Sequence, residues 1–214
     1  MDIFETINRY RLVFWDFDGV IKESLIVKRA SFAKLFGAHD KSVVAKITAH
    51  HDANGGMSRF EKIPRYLELV GIENSKANIQ RYCEEYAAIV FAEVVDCPWV
   101  AGVEGALKNG LVTVPSILVT ATPHEEIEEI LFQLGIRDVF LRVYGAPKAK
   151  TQSIQESLEE LEVAPNDALM LGDSELDCKA AQSNGIDFIL RKTAFNVDFC
   201  ARFKGRKIED FEAS

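Results

Sequence analysis

Asp16 and Asp18 stand two positions apart in "VFWDFDGVI" (13–21), directly after an apolar run and before a glycine. With an extended period of two, both carboxylates leave the end of that run on one side, and Phe17 turns the other way. Two like charges this close raise each other's pKa unless something compensates. A hard divalent cation such as Mg²⁺ does so, because it takes oxygen ligands and keeps some of its waters. A second acidic pair, Asp173 and Asp177 in "LMLGDSELD" (169–177), has the same setting, with Asp177 one helical turn beyond Asp173. If the two runs are neighbouring strands, three or four carboxylates converge on one metal. Each pair also has a plainer reading alone. Asp–Gly is favoured in turns, and Asp173 or Ser174 can cap a helix. Both features at strand ends, in this order, with a threonine and a lysine between them, are hard to explain by turns and caps.

The elements that must position these residues are legible as apolar runs. "LVFWD" (12–16), "SILVT" (116–120), "DALMLGD" (167–173) and "DFILR" (187–191) read as buried parallel strands, with a weaker fifth at "VFLRVYG" (139–145). Helical patterns separate them: 122–135 with apolar residues at 127, 130, 131 and 134, then 150–163 and 174–185. Strands alternating with helices predict an α/β fold, a Rossmann-like parallel sheet with helices on both faces. Residues 22–95 contain no strand pattern and read as amphipathic helices. They form an all-helical insert over the carboxyl ends of the strands, the edge where open α/β sheets bind ligands. The expected organisation is a core of 1–21 and 96–214 with an inserted helical domain of 22–95. Pro64 is expected in the first turn of an insert helix or at a kink, and "ANGG" (53–56) as a break between helices. "KIEDF" (207–211) reads as a short closing element on the core.

Composition narrows the class. The 214 residues carry a formal net charge of −8, which argues against a nucleic-acid surface and against docking on anionic lipid. The four cysteines, Cys83, Cys97, Cys178 and Cys200, form no CxxC pair, so zinc and redox motifs are not expected. No signal-peptide pattern opens the chain, and no apolar stretch is long enough to span a membrane. The expected location is the cytoplasm and the expected state a monomer or homodimer.

The four patterns together resemble the haloacid dehalogenase-like hydrolase superfamily, in its phosphatase branch with a helical cap inserted after the first strand, similar to phosphoglycolate phosphatases and β-phosphoglucomutases. "DFDGV" is similar to the family's first motif, "ILVTATP" to the second, "YGAPKAK" to the third and "LMLGDSELD" to the fourth. The resemblance implies that Asp16 is a nucleophile forming an aspartyl-phosphate and that Asp18 is general acid and then general base. An acid at the second position points to phosphoryl transfer, since a halide leaving group needs no proton. It further implies that Mg²⁺ is held by Asp16, Asp18 through its carbonyl, and Asp173, with Asp177 orienting the cluster. Thr120 and the backbone N–H of Ala121 would hold phosphoryl oxygens. Thr122, before Pro123, is expected to cap the next helix. Either Lys148 or Lys150 matches the third motif; Lys150 is favoured because it opens a helix whose first buried residue is Ile154.

In the insert, "HHDANGGMSRFEKI" (50–63) is the most distinctive stretch. Arg59, with Asn54 and Lys62, is the candidate for substrate recognition, because arginine pairs bidentately with phosphate or carboxylate. Equally, Arg59 and Glu61 can merely decorate a helix start. Adjacent histidines face apart on a helix, so His50 and His51 are expected to cover it rather than bind metal. Glu23 is placed near the site but outside the catalytic set. The expected function is a Mg²⁺-dependent phosphomonoesterase acting on a small phosphorylated metabolite, a sugar phosphate or phosphoglycolate. The alternatives are a phosphomutase and a non-catalytic sensing module.

Overall fold

The computed structural model describes residues 2–212. After a short helix α1 (Ile3–Ile7), strand β1 (Leu12–Trp15) is buried along its whole length. Its alternate residues serve two cores. Val13 and Trp15 pack with Leu118, Leu169 and Leu171 on one face, and Leu12 and Phe14 with Ile117, Ile154 and Met170 on the other. That two-sided burial is why the run is continuously apolar.

Four helices follow: α2 (Leu25–Leu35), α3 (Lys41–Ala53), α4 (Arg59–Leu69) and α5 (Lys76–Asp96). Local signals start them: Asp40 accepts from Ser42 N–H at 2.7 Å and Ser75 from Asn78 N–H at 3.3 Å. Their common core is aromatic. Phe32 stacks on Tyr86 at 4.1 Å and meets Tyr66 edge-on, and Phe36 stacks on Tyr82 at 5.4 Å. Pro64 lies inside α4, beyond its first turn. The two chain crossings that join these helices to the sheet are tied to each other. Glu23 N–H donates to Pro98 O at 2.9 Å, Val100 N–H to Ile21 O at 3.0 Å, and the buried Lys22 ammonium to Val95 O at 2.9 Å.

The chain then alternates: α6 (Val103–Lys108), β2 (Ser116–Pro123), α7 (His124–Gln133), β3 (Arg142–Ala146), α8 (Lys150–Glu160), β4 (Ala168–Gly172), α9 (Glu175–Ser183), β5 (Asp187–Arg191), α10 (Val197–Arg202) and β6 (Lys207–Ile208). All pairings are parallel, in the order β3-β2-β1-β4-β5-β6. The α/β fold class expected from the sequence is therefore the one observed. The order reverses at β1, where the chain returns from β3 to lay β4 on the other side; such a switch point opens a crevice at the strands' carboxyl ends. Two boundaries differ from expectation: β2 runs on to Pro123, and β3 begins only at Arg142 after a 3-10 turn at 137–139. As expected for 207–211, β6 with the buried Phe211 closes the sheet, Phe211 stacking on Trp15 at 5.6 Å. Among the described residues no helix is long and apolar enough to cross a membrane, and all four cysteines are free.

Candidate active site

The register of β1 on β4 pairs Trp15 with Leu171, and Asp16 N–H donates to Leu171 O at 2.9 Å. The next residue of each strand end, Asp16 and then Asp173, therefore enters the same crevice. Asp16, Asp173 and Asp177 each offer an oxygen, all within 4.8 Å of one another. Lys150, at the first position of α8, places its ammonium 2.7 Å from Asp16 Oδ1 and 2.6 Å from Asp177 Oδ1. Asp177 Oδ2 accepts from the Ser174 N–H at 3.0 Å and hydroxyl at 2.7 Å, closing the cap of α9. Both Asp177 oxygens are thus committed, which suits an orienting role.

Three buried carboxylates against one ammonium leave two negative charges in a low-dielectric pocket. Burial, followed by the charges of Asp16 and Asp177, pushes the Asp173 carboxyl well above the usual range. Burial also raises Asp16 to about 7 despite Lys150 beside it. Asp173 has no side-chain donor among the described residues, and a divalent oxygen-loving cation is the group this donor set fits. The chain turns away from the cluster through Gly19, at φ +72°, so close that a Cβ there would lie 2.7 Å from Asp173 Oδ2.

Asp18 lines the same cavity and is held separately. Ser24 donates to its Oδ1 at 2.6 Å; the Lys28 ammonium and the Thr122 hydroxyl, the latter at 3.2 Å, take Oδ2. Burial alone would raise Asp18, but Lys28, with the Ser24 hydrogen bond and Lys150, outweighs it and holds the carboxyl below its ordinary value. Thr122 is a correction to the sequence reading: Pro123 occupies the N-cap of α7 without a side-chain cap, and the Thr122 hydroxyl serves Asp18. Thr120, buried at the end of β2's apolar run, accepts from Thr122 N–H at 3.2 Å, and Ala121 lines the cavity. Of the two candidate lysines, Lys150 reaches the carboxylates. Lys148 pairs with Glu156 and lies over the Tyr144 ring at 4.4 Å.

Residues of α2 to α5 line the other side of the cavity. Gly56, at φ +78°, lies so near the core that a Cβ would meet Ser174 Oγ at 2.6 Å. Arg59 borders the cavity with its guanidinium paired to both oxygens of Glu126 on α7, at 2.7 and 2.5 Å, and lies over the Tyr86 ring at 4.6 Å. Lys62 is buried and donates to His51 Nδ1 at 3.1 Å. Asn54 stands apart: its amide donates to His50 O at 2.8 Å, and it borders a neighbouring cavity beside Ser174 and Phe195. The two histidines face apart: His50 meets the Tyr66 hydroxyl at 3.1 Å, whereas His51, expected only to cover α3, lines the cavity. Glu23 pairs with Arg191, which also donates to Gly19 O at 3.1 Å. Sequence reasoning missed Lys28 and Thr122. A usable signal for Lys28 was its spacing: Leu25, Lys28 and Phe32 share one helical face, so a lysine interrupts an inward-facing stripe.

With this geometry in view, a family model described as haloacid dehalogenase-like hydrolase matches residues 13–191. The chain belongs to the haloacid dehalogenase-like hydrolase family. A relative from Thermotoga maritima named phosphorylated carbohydrates phosphatase is 25% identical over 183 residues, covering 83% of this chain and 82% of that protein. Among solved structures of similar fold, a CbbY variant from Rhodobacter sphaeroides in complex with xylulose-1,5-bisphosphate superposes with a TM-score of 0.73 at 18% identity, covering 94% of this chain and 95% of the other. β-Phosphoglucomutase from Clostridium difficile gives 0.72 at 20%, covering 94% and 92%. The haloacid dehalogenase-like match begins within β1 and ends with β5, so it takes in every residue of the carboxylate cluster and the helical insert.

Proposed function

We propose that this hydrolase is a Mg²⁺-dependent phosphomonoesterase of small phosphorylated metabolites that works through an aspartyl-phosphate on Asp16. Its class, a phosphatase of the haloacid dehalogenase-like family, rests on the family match and the phosphatase relative. The observation that carries the finer reading is the convergence of Asp16, Asp18, Asp173 and Lys150 on one crevice at the carboxyl ends of β1 and β4.

In this reading an oxygen of Asp16 attacks phosphorus in line while the bond to the leaving oxygen breaks. Asp18 gives that oxygen a proton, then accepts one from the water that hydrolyses the acyl phosphate, releasing phosphate and restoring Asp16. With Lys28 against it Asp18 is ionised, its base form; donating a proton requires Lys28 to move off. Lys150 pins Asp16 and offsets charge on the transferred group. The Thr120 hydroxyl and Ala121 N–H hold phosphoryl oxygens. Mg²⁺, held by Asp16, the Asp18 carbonyl and Asp173, would neutralise the phosphoryl oxygens. Residues 22–95 act as a cap that closes over the substrate and excludes water, with Lys62 and Arg59 on the substrate side. Asn54 is left out of that set because it borders the neighbouring cavity instead.

The test is phosphate release from an aryl phosphate with Mg²⁺. Wild type is expected to turn over and Asp16→Asn to lose on the order of 10³-fold or more. Equal rates for the two proteins would end the nucleophile assignment. A mutase is the second reading, favoured by the β-phosphoglucomutase fold match. A sugar phosphate isomerised without phosphate release would decide for it.

A further inference from the structure

Of the three clustered carboxylates, two are pinned by side chains. Lys150 holds Asp16 and Asp177, and Ser174 takes the other oxygen of Asp177. The Asp173 carboxylate has no such donor among the described residues, so it points where its backbone sends it. That backbone has already left the sheet: the β4–β5 pairing ends with Gly172 opposite Leu190. The Asp173 carbonyl is taken instead by a side chain 23 residues away, the amide of Asn196, at 2.6 Å. The same amide nitrogen donates to Arg191 O at 2.8 Å, at the exit of the neighbouring strand β5.

Asn196 is buried, and every hydrogen-bonding position of its amide is filled. Oδ1 accepts from Thr193 N–H at 2.9 Å and from the Cys200 thiol at 3.0 Å, while Nδ2 serves the two carbonyls. A backbone N–H only donates and a carbonyl only accepts, so these partners admit one orientation of the amide. The plainer role for an asparagine here is to cap a helix, because Asn196 is the N-cap residue of α10. Its side chain makes no cap bond to α10 and is directed at two strand exits instead. The exit of β5 also steadies the opposite wall. Arg191 donates to Gly19 O at 3.1 Å, and Gly19 is the residue where an added Cβ would lie 2.7 Å from Asp173 Oδ2. Arg191 and Asn196 therefore grip both loops, the one that carries Asp18 and Gly19 and the one that carries Asp173.

We propose that Asn196 is the positioning residue for Asp173, setting through the Asp173 carbonyl where that carboxylate stands as a ligand for the cation. This deepens the phosphomonoesterase reading and rests on its assignment of Mg²⁺ to Asp16 and Asp173. A short side chain with no partner of its own follows its peptide plane, so a carbonyl released by Asn196 lets the carboxylate swing. Mg²⁺ demands near-ideal octahedral geometry at short distances, so a small displacement of one ligand weakens binding as well as loosening the loop. Partners that hold a ligand in place contribute about 10- to 100-fold in metal affinity.

The experiment is a calorimetric titration of Mg²⁺ into substrate-free protein, well below each variant's melting temperature. Asn196→Asp keeps the size of the side chain and the acceptance from Thr193 N–H, but turns an oxygen on the Asp173 and Arg191 carbonyls. It is expected to weaken Mg²⁺ binding by about 10- to 100-fold, and Asn196→Gln, which keeps the amide but displaces it by one methylene, by about 3- to 10-fold. Thr193→Ala is the control for a merely structural role. It removes the hydroxyl that accepts from Phe195 N–H at 3.2 Å and loosens the same loop without touching the amide. It is expected to lower the melting temperature and leave the Mg²⁺ affinity unchanged. In steady-state turnover the Asn196 variants should need correspondingly more Mg²⁺ for half-maximal rate, yet recover kcat to within about threefold at saturation. Wild-type Mg²⁺ affinity in the folded Asn196 variants, or an equal loss in Thr193→Ala, overturns the proposal; if Asn196→Asp does not fold, Asn196→Gln decides it. If wild type hydrolyses no ester but binds Mg²⁺ with this dependence on Asn196, the catalytic reading fails and the positioning assignment holds. If wild type binds no Mg²⁺, the metal assignment and the proposal both fall.

Discussion

Arg59 and Glu126 form a buried ion pair that joins the helical insert to the core, and replacing Glu126 by glutamine tests what holds the two together. The pair is bidentate and desolvated, with side-chain exposures of 5% and 10%. Removing one partner of a buried pair costs about 3–5 kcal/mol, because the other charge is left uncompensated. Here part of that cost has an escape. α4 can lift from α7 and return the guanidinium to water, forfeiting its position over Tyr86 at 4.6 Å, itself worth about 2 kcal/mol when desolvated. Glu126→Gln should therefore cost about 2–3 kcal/mol, a roughly 30- to 150-fold rise in the open population. Hydrogen exchange would show this as protection lost together in α4 and in the chain crossings near Glu23 and Pro98, while β1 and β4 keep theirs. A double-mutant cycle completes the assay: Arg59→Met with Glu126→Leu should recover stability to within about 1 kcal/mol of wild type, as paired apolar replacements do. If Glu126→Gln leaves both stability and exchange unchanged to within about 0.5 kcal/mol, the pair does not hold the insert in solution and the reasoning fails.

Other expectations follow from the acidic cluster. In metal-free protein Asp16 and Asp173 both have folded-state pKa values raised above the ordinary 3.8. The folded chain then keeps protons the unfolded chain has lost, so stability should fall as pH climbs from about 4 through about 7; urea melts across that range should show the fall, and saturating Mg²⁺ should suppress it. Asp173→Asn should stabilise the metal-free protein at pH 7 by removing a repelled carboxylate, and should abolish the rise in melting temperature on adding Mg²⁺; an undiminished rise would exclude Asp173 as a ligand. Lys150→Met should lower phosphate release on the order of 10²-fold or more, whereas Lys148→Met, which breaks a part-exposed pair with Glu156 and a contact with the Tyr144 ring, should stay within about threefold; the reverse order in steady-state rates would reassign the lysine.

Local periodicity carried much of this protein's design. The alternation that sends Leu12 and Phe14 to one core and Val13 and Trp15 to the other is visible as an apolar run. So is the placement of Asp16 just past that run, because a strand's exit is a property of a few consecutive residues. The Ser174–Asp177 cap was legible for the same reason: its partners are three positions apart. What the tertiary structure decided are the contacts across long separations. Thr122 finds Asp18 104 residues away, Arg59 finds Glu126 67 away, and Lys150 rather than Lys148 reaches Asp177, 27 away. Periodicity says which face of an element is inward, but not what stands opposite. That depends on how the insert settles over the sheet edge and on which turn of α8 meets the crevice, both products of packing among elements distant in the chain. The sequence by itself therefore named the carboxylates and their strands; only the assembled fold showed that Arg59 is already paired.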